Sequence, residues 1–270
     1  MQKRSEGILL ALFGMILYGL EPIVIKANPS NPASFAFFSA FLASLILLPF
    51  VDMNSVKNNI KKGILIGFFG TFLAYLSYSA GARLSTAINA ALITRAEVLF
   101  SFILAYIFLG ERITIKRAVY SFITLAGVIA VITRGKIVEP KMGDILLLLV
   151  PFFWQLGHII AKKTNATPQT IAFLRNIFGS LFLLPLALVS GMEFTIYSVP
   201  EGVIIALGQI IWYASIRRID LSLATAIITP APAVAIAVAL IMGEELTSWH
   251  IIGFTLITVG TLGLSIKREH

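Results

Sequence analysis

Apolar runs of about the ~20 residues that a helix needs to cross a bilayer recur along the chain. They cover residues 7–26, 33–51, 62–80, 85–109, 114–133, 143–161, 168–189, 199–216, 221–243 and 247–266, with short polar connections between them. The longest polar connection, Arg134 to Asp144, falls at the centre of the chain. No connection is large enough to fold as a soluble domain. The pattern predicts an all-α integral membrane protein of ten transmembrane helices. Composition agrees: 58% of the residues are hydrophobic and 13% charged, and the mean hydropathy is +0.92. A soluble domain is about 45–50% apolar and about 25% charged.

Charge sets the orientation. A net charge of +8 would suit a nucleic-acid partner, but the basic residues sit in short clusters between the apolar runs, as the positive-inside rule requires. With the N-terminus in the cytoplasm, the inside segments hold fourteen Lys and Arg: Lys3, Arg4, Lys57, Lys61, Lys62, Arg112, Lys116, Arg117, Lys162, Lys163, Arg217, Arg218, Lys267 and Arg268. The outside ends hold five: Lys26, Arg83, Arg134, Lys136 and Lys141. Arg95 and Arg175 lie within spans and complete the 21. This bias predicts a multi-pass protein with both termini cytoplasmic. Met1 to Leu17 has the charge and apolar run of a signal peptide but no small-residue cleavage site, and it is read as a retained first span. That reading favours a plasma membrane.

The chain also repeats itself. Residues 7–26 lie against 143–162 at an offset of 136, so that Gly7 meets Gly143, Tyr18 meets Trp154 and Lys26 meets Lys162. At the same offset Pro32, Ala36, Phe37 and Pro49 meet Pro168, Ala172, Phe173 and Pro185. Later the offset falls to 133: Gly110-Glu111 meets Gly243-Glu244, Thr114 meets Thr247, and Gly127 meets Gly260. Five spans is an odd number, so the second copy starts on the opposite side of the membrane from the first. The expected organisation is a first five-helix unit at 1–134, a linker at 135–141 and a second unit at 142–270, an inverted repeat of the kind many secondary transporters use.

Charges within spans are costly and mark candidate sites. Glu97 shares a helical face with Ala87, Ala90, Thr94, Ser101 and Ala105, a small and polar stripe. Arg95 is two residues away, roughly 200° around an α-helix, and is expected to brace the bundle rather than pair with Glu97. Glu21 lies on a face with Gly14, Leu17 and Tyr18, and Pro22 after it would free a carbonyl one turn back. His158 follows Trp154 by one turn and titrates near neutrality when unperturbed. Glu97, Glu21 and His158 are therefore the proton- or ion-coupling candidates; the alternative is a packing role for Glu97 and His158, and for Glu21 a place close to the span's outer end where water wets it. Arg175, with Asn176 beside it, has the fork geometry for a carboxylate or phosphate; the alternative is a structural pair with an acid such as Glu97. Tyr18, Tyr78, Trp154, Gln209, Trp212 and Tyr213 are candidates for an aromatic and hydrogen-bonding wall. Pro230 and Pro232 predict a break or bend in the ninth span, and with Pro22 they are the candidate hinges. Arg217, Arg218 and Asp220 read as a solvated loop, Glu111, Glu244 and Glu245 as interfacial structure, and Trp249 as an interface anchor.

Several chemistries are disfavoured. There is no cysteine, so disulfides and thiolate metal sites are excluded. His158, His250 and His270 are not at metal-ligand spacing, no Walker loop is present, and no Ser/His/Asp set falls within a span. No metal, cofactor or catalytic residue is expected, which argues against an enzyme.

The five-plus-five arrangement, Tyr18-Gly19 with the later Lys26, Phe173-Leu174-Arg175, and the two Gly-Glu ends at 109–112 and 242–245 resemble EamA-type transporters of the drug/metabolite transporter superfamily. The resemblance spans nearly the whole chain. It implies a ten-helix bundle with a central cavity and alternating access, moving a small organic solute, amino-acid-like, weakly anionic or drug-like. It implies export, with proton coupling as a further expectation. Two departures stand out: Ser39 takes the place of an Arg common in the second span, and Glu97-Val98 replaces a common Glu-Pro. The expected partners are the solute and the lipid bilayer, with no nucleic acid; a homodimer is compatible. The competing expectation is a passive channel with the same polar interior and no alternating gates.

Overall fold

The computed structural model describes residues 2–109, 115–134, 141–216, 218–219, 227–228 and 230–265, and within them the structure is helical. The first half comprises α1 (Gln2–Ala27), α2 (Pro32–Leu47), α3 (Met53–Gly67), α4 (Ala74–Leu84), α5 (Ala87–Ile93), α6 (Glu97–Leu109) and α7 (Ile115–Thr133). The second comprises α8 (Met142–Lys162), α9 (Pro168–Val189), α10 (Ser198–Ile216), α11 (Ala231–Ile241) and α12 (Ser248–Ser265). Among the described residues five helical stretches are long and apolar enough to cross a membrane: Arg4–Ala27, Pro32–Phe50, Met53–Leu84, Met142–Ala161 and Pro168–Val189. Shorter apolar helices cover Ala118–Thr133, Ser198–Trp212, Ala231–Ile241 and Ser248–Gly263. Gly110, Glu111, Arg112, Arg217, Asp220, most of the linker and the Tyr213 side chain lie outside the described part.

Local sequence explains the helix starts. Asn31 accepts a hydrogen bond from the Ser34 N–H at 2.8 Å, and Pro32 opens α2. Thr167 accepts from the Thr170 N–H at 3.2 Å, and Pro168 opens α9. A capping side chain followed by Pro at the first helical position satisfies one orphan donor and removes another. Pro32 and Pro168 stand 136 positions apart, and both helices start with the same device.

Two spans are not plain α-helices. The third runs without a break from α3 through a π-helical segment, Phe68–Leu73, into α4. The fourth is divided into α5 and α6 by a 3₁₀ turn at Thr94–Ala96. The single small-and-polar face expected over this span is therefore interrupted one residue before Glu97. Such mid-helix departures often accompany functional sites. In the first span the expected break at Pro22 is absent, because α1 continues through it to Ala27. Proline removes only one N–H, and packed neighbours in a bundle tolerate the freed carbonyl. In the ninth span Pro230 is the N-cap residue of α11 and Pro232 lies in its first turn, so the prolines begin a helix, where proline fits best.

Helix packing crosses the halves throughout. α2 packs on α9, α7 on α12, α5 on α11, α1 on α10 and α11, and α8 on α4 and α6. Exchanging the first and second half of the chain maps these contacts onto one another. Small residues make the closest approaches possible. A Cβ at Gly67 would stand 2.7 Å from the Gly179 amide nitrogen, and one at Gly127 would stand 2.9 Å from the Gly253 carbonyl oxygen. The buried apolar cores draw on both halves. One gathers Ile23, Tyr78, Ile88, Leu92, Leu147 and Trp154, and another Phe37, Leu47, Tyr75, Phe173 and Leu183.

The Gly-Glu end of the ninth span has a specific job. Gly243 adopts φ +87°, its N–H donates to the Leu240 carbonyl at 3.1 Å, and the Glu244 N–H donates to Ala239 at 2.9 Å. These bonds end α11 in a Schellman turn. The Glu244 carboxylate then accepts from the Ala87 N–H at 2.8 Å and the Ile88 N–H at 3.1 Å. A carboxylate from the second half thus caps the N-terminus of α5 in the first, where the helix dipole favours negative charge. Replacing Glu244 by Ala is expected to lower stability by about 1–2 kcal/mol, read as a lower melting temperature of purified protein. The exposed Glu245→Ala is expected to leave it unchanged.

Candidate functional site

Near the middle of the bundle four polar side chains from three helices converge. Glu97 opens α6, Gln155 and His158 come from one face of α8, and Arg175 comes from α9. Gln155 Nε2 donates to Glu97 Oε1 at 2.7 Å and stands 3.4 Å from His158 Nδ1. His158 Nδ1 lies 3.8 Å from Glu97 Oε1. Arg175 Nη1 reaches His158 Nε2 at 3.5 Å, and Nη2 donates to the Gly70 carbonyl at 2.7 Å. A guanidinium only donates, so in this contact His158 is the acceptor at Nε2.

The π segment makes room for the arginine. Gly70 lies inside it, and a Cβ there would stand 3.1 Å from Arg175 Nε. The lack of a side chain lets the guanidinium lie against the backbone and reach the carbonyl. Arg175 Nε is buried with no partner. Glu97 and His158 are partly open, with side-chain exposures of 30% and 34%. Acid, imidazole and guanidinium therefore form a line whose first two members are accessible.

One turn along α8, Trp154 extends the site. Its ring meets Tyr78 edge-on, centroids 5.7 Å apart, and lies 6.3 Å from Tyr75. Tyr75 donates from its hydroxyl to Glu21 Oε1 at 3.0 Å. Glu21 is buried, not wetted at the span's outer end. Trp154 Nε1 is buried and unpartnered. The acid of the first span and the cluster around Glu97 are thereby joined through an aromatic wall.

The sequence of this chain matches the sequence model of the EamA-like transporter family over residues 5–133 and 141–266. The chain belongs to this family. It is similar to an uncharacterized transporter, YyaM, of Bacillus subtilis, with 25% identity over 88% of this chain and 85% of that one. It is also similar to an S-adenosylmethionine uptake transporter of Rickettsia prowazekii, with 26% identity over 68% of this chain and 64% of that one. A solved crystal structure shares the fold at 16% identity, with a TM-score of 0.69 over 97% of both chains. The protein is a membrane transporter.

Not every expected site residue of this EamA-like transporter joins the cluster. Asn176 donates to Gln209 Oε1 at 3.0 Å and to the Ala172 carbonyl at 2.9 Å, while Thr71 donates to Asn176 Oδ1 at 3.4 Å. Asn176 and Gln209 are buried and bracket α9 to α10. Trp212 packs with Ala11, Ile219, Ile8 and Ile227, away from the cluster. Tyr18 lies against α10, its ring 3.2 Å from where a Cβ at Gly208 would be. Arg95 sits in the 3₁₀ turn with its Nε buried, and among the described residues no ion pair joins it to Glu97. Arg218 is exposed and pairs with Glu6 at 3.4 Å, in keeping with a solvated loop.

Three residues of the site carried no expectation: Gln155, Tyr75 and Glu201. Gln155 precedes His158 by three positions, the spacing of one helical face, and that signal was present in the sequence. Tyr75 precedes Tyr78 in the same way. Glu201 sits at the edge of an apolar run, where an acid ordinarily faces water, yet it is fully buried.

Proposed function

We propose that this protein is a secondary active transporter of ten spans in two inverted five-helix repeats, moving a small amino-acid-like solute by alternating access. The observation that carries this reading is the line Glu97–His158–Arg175, partly open and drawn from both halves of the chain. A zwitterion presents an ammonium and a carboxylate on one carbon; Glu97 would take the first and the Arg175 fork the second. Tyr78 and Trp154 would cover the apolar part of the solute, and Arg95 would brace the span behind Glu97. Helix contacts that exchange with one another between the halves support the repeat. The S-adenosylmethionine named for the rickettsial relatives carries an amino-acid head group, the chemistry argued here. Export across the plasma membrane, with cytoplasmic termini, follows from the family resemblance and the charge bias. Proton coupling is part of the same proposal, with Glu97, Glu21 and His158 as its groups.

A ligand that binds only the folded protein stabilises it, by about 2.7 kcal/mol at a hundred times its dissociation constant. Purified protein screened by thermal shift against amino acids, S-adenosylmethionine, decarboxylated amines and sugars is expected to be stabilised only by compounds with both head groups. Stabilisation by sugars or amines alone would count against this site.

A further inference from the structure

Glu201 stands on the first turn of α10 with no exposed surface, and neither of its carboxylate oxygens has a hydrogen-bond partner. Among the described residues no cation bonds to it. The neighbouring helix α2, which approaches so closely that a Cβ at Gly202 would stand 3.1 Å from the Ser39 carbonyl oxygen, carries no titratable residue. Of the helices packed on α10, α9 contributes one charged side chain, Arg175, which is engaged by Gly70 and His158. From α1 come Lys26, which donates to the Arg83 and Ser85 carbonyls, and Glu21, a second buried carboxyl. Tyr75 and Tyr78 lie beyond α2, with Tyr75 donating to Glu21, and Tyr197 is one turn back on the same strand of chain. The hydroxyls of Ser39 and Ser198 are buried and unpartnered as well.

The register of α1 against α10 puts the two acids at nearby levels. A Cβ at Gly7 would meet Ile219, one at Gly14 would meet Ile211, and Tyr18 meets Gly208. Continuing this antiparallel series brings Glu21 to within about one turn of Glu201, roughly 5.4 Å along the axis. An ionised carboxylate buried without a partner costs several kcal/mol, and a second carboxyl nearby adds to that cost. A proton removes it.

We propose that Glu201, paired with Glu21, is a proton-exchange site of this transporter: a neutral acid while α10 is packed on α1 and α2, and ionised when those helices separate and water reaches it. The step is a proton transfer from the Glu201 carboxyl to water, reversed on repacking. Nothing is oxidised or reduced. Glu21, fixed by Tyr75, is the neighbouring carboxyl, so that the ionisation of each acid depends on the state of the other. The inference rests on the alternating-access reading, since it needs α10 to part from its neighbours.

Infrared difference spectroscopy on full-length protein in lipid nanodiscs tests this without a solute. At neutral pH the wild type is expected to show a carbonyl-stretch band of a buried protonated carboxylic acid that is missing in Glu201→Gln. The band is expected to vanish on alkaline titration, at a midpoint that moves in Glu21→Gln. Glu201→Gln, an isostere of the neutral acid, is expected to fold with an unchanged melting temperature. A spectrum unaltered by Glu201→Gln, or a midpoint unaltered by Glu21→Gln, would overturn the pair. So would loss of the band when sodium replaces potassium at constant pH, which would make the site one for sodium. If the band behaves as expected while the protein fails to exchange solute across liposomes, the transporter mechanism fails and the proton site stands.

Discussion

Replacing Arg175 by Ala is expected to lower the exchange of an amino-acid-like solute about a hundredfold, equivalent to about 2.8 kcal/mol, with the fold retained. The guanidinium has two ties, to the Gly70 carbonyl and His158 Nε2, and a vacant donor at Nε. Truncating one member of a buried charged pair typically costs about 2–5 kcal/mol, much of it from the partner left behind. Here the partners left behind are a backbone carbonyl and an imidazole rather than an unpaired carboxylate, so the solute carboxylate is expected to lose most. Arg175→Lys keeps the charge without the fork and is expected to fall between the two, at about a tenfold loss. The check is exchange in proteoliposomes, with melting temperatures measured alongside. A wild-type rate in Arg175→Ala would move this residue to a purely structural role.

Glu97→Gln is the second large effect. It keeps the shape of the side chain and removes its charge. Gln155, which now donates at 2.7 Å, would have to turn its amide or lose the bond. Exchange of a zwitterionic solute is expected to fall about thirtyfold, near the loss of one hydrogen bond to a charged group, about 2 kcal/mol. The diagnostic is a reversal of preference. A deaminated acid should compete better against the zwitterion in Glu97→Gln, and a decarboxylated amine better in Arg175→Ala. Equal losses for all three compounds would mean that Glu97 holds the bundle together and does not meet the solute.

These two residues also show how far the sequence could be read. Both are charges in apolar runs, and the expense of such groups singled them out before any contact was known. The spacing of Trp154 and His158 on one face of α8 was equally legible. The apolar runs and the lysine and arginine clusters were enough to place the helices, and α9 spans the residues expected of it, 168–189. What escaped was local backbone geometry with no residue to announce it. The 3₁₀ turn at Thr94–Ala96 forms without a proline, and the π segment at Phe68–Leu73 contains a Gly but no breaker. Pro22 was the reverse case, a breaker that breaks nothing. Tertiary packing decides these cases, because a bundle interior can hold a strained turn or a freed carbonyl that an isolated helix would not. Glu201 escaped for another reason. Its place at the end of a run is where acids normally meet water, and only the close packing of α2 on α10 buries it.

Glu244 shows a motif whose role became clear only in three dimensions. The Gly-Glu end was read as interfacial structure, and structural it is. The turn at Gly243 aims the carboxylate at the first N–H groups of α5. It ties the ninth span to the fourth, close to the network of His250, Asn89, Ser85 and Asp144. Any motion that opens the bundle on that side has to release this cap.

The central claim is that one solute site faces the two sides of the membrane in turn. Counterflow in proteoliposomes tests it most directly, with all ion gradients collapsed and labelled amino acids or S-adenosylmethionine outside. Unlabelled solute trapped inside is expected to speed the entry of label above the rate into empty vesicles, because a loaded carrier returns faster than an empty one. Entry at the same rate whatever the vesicles contain would contradict alternating access and leave a passive channel.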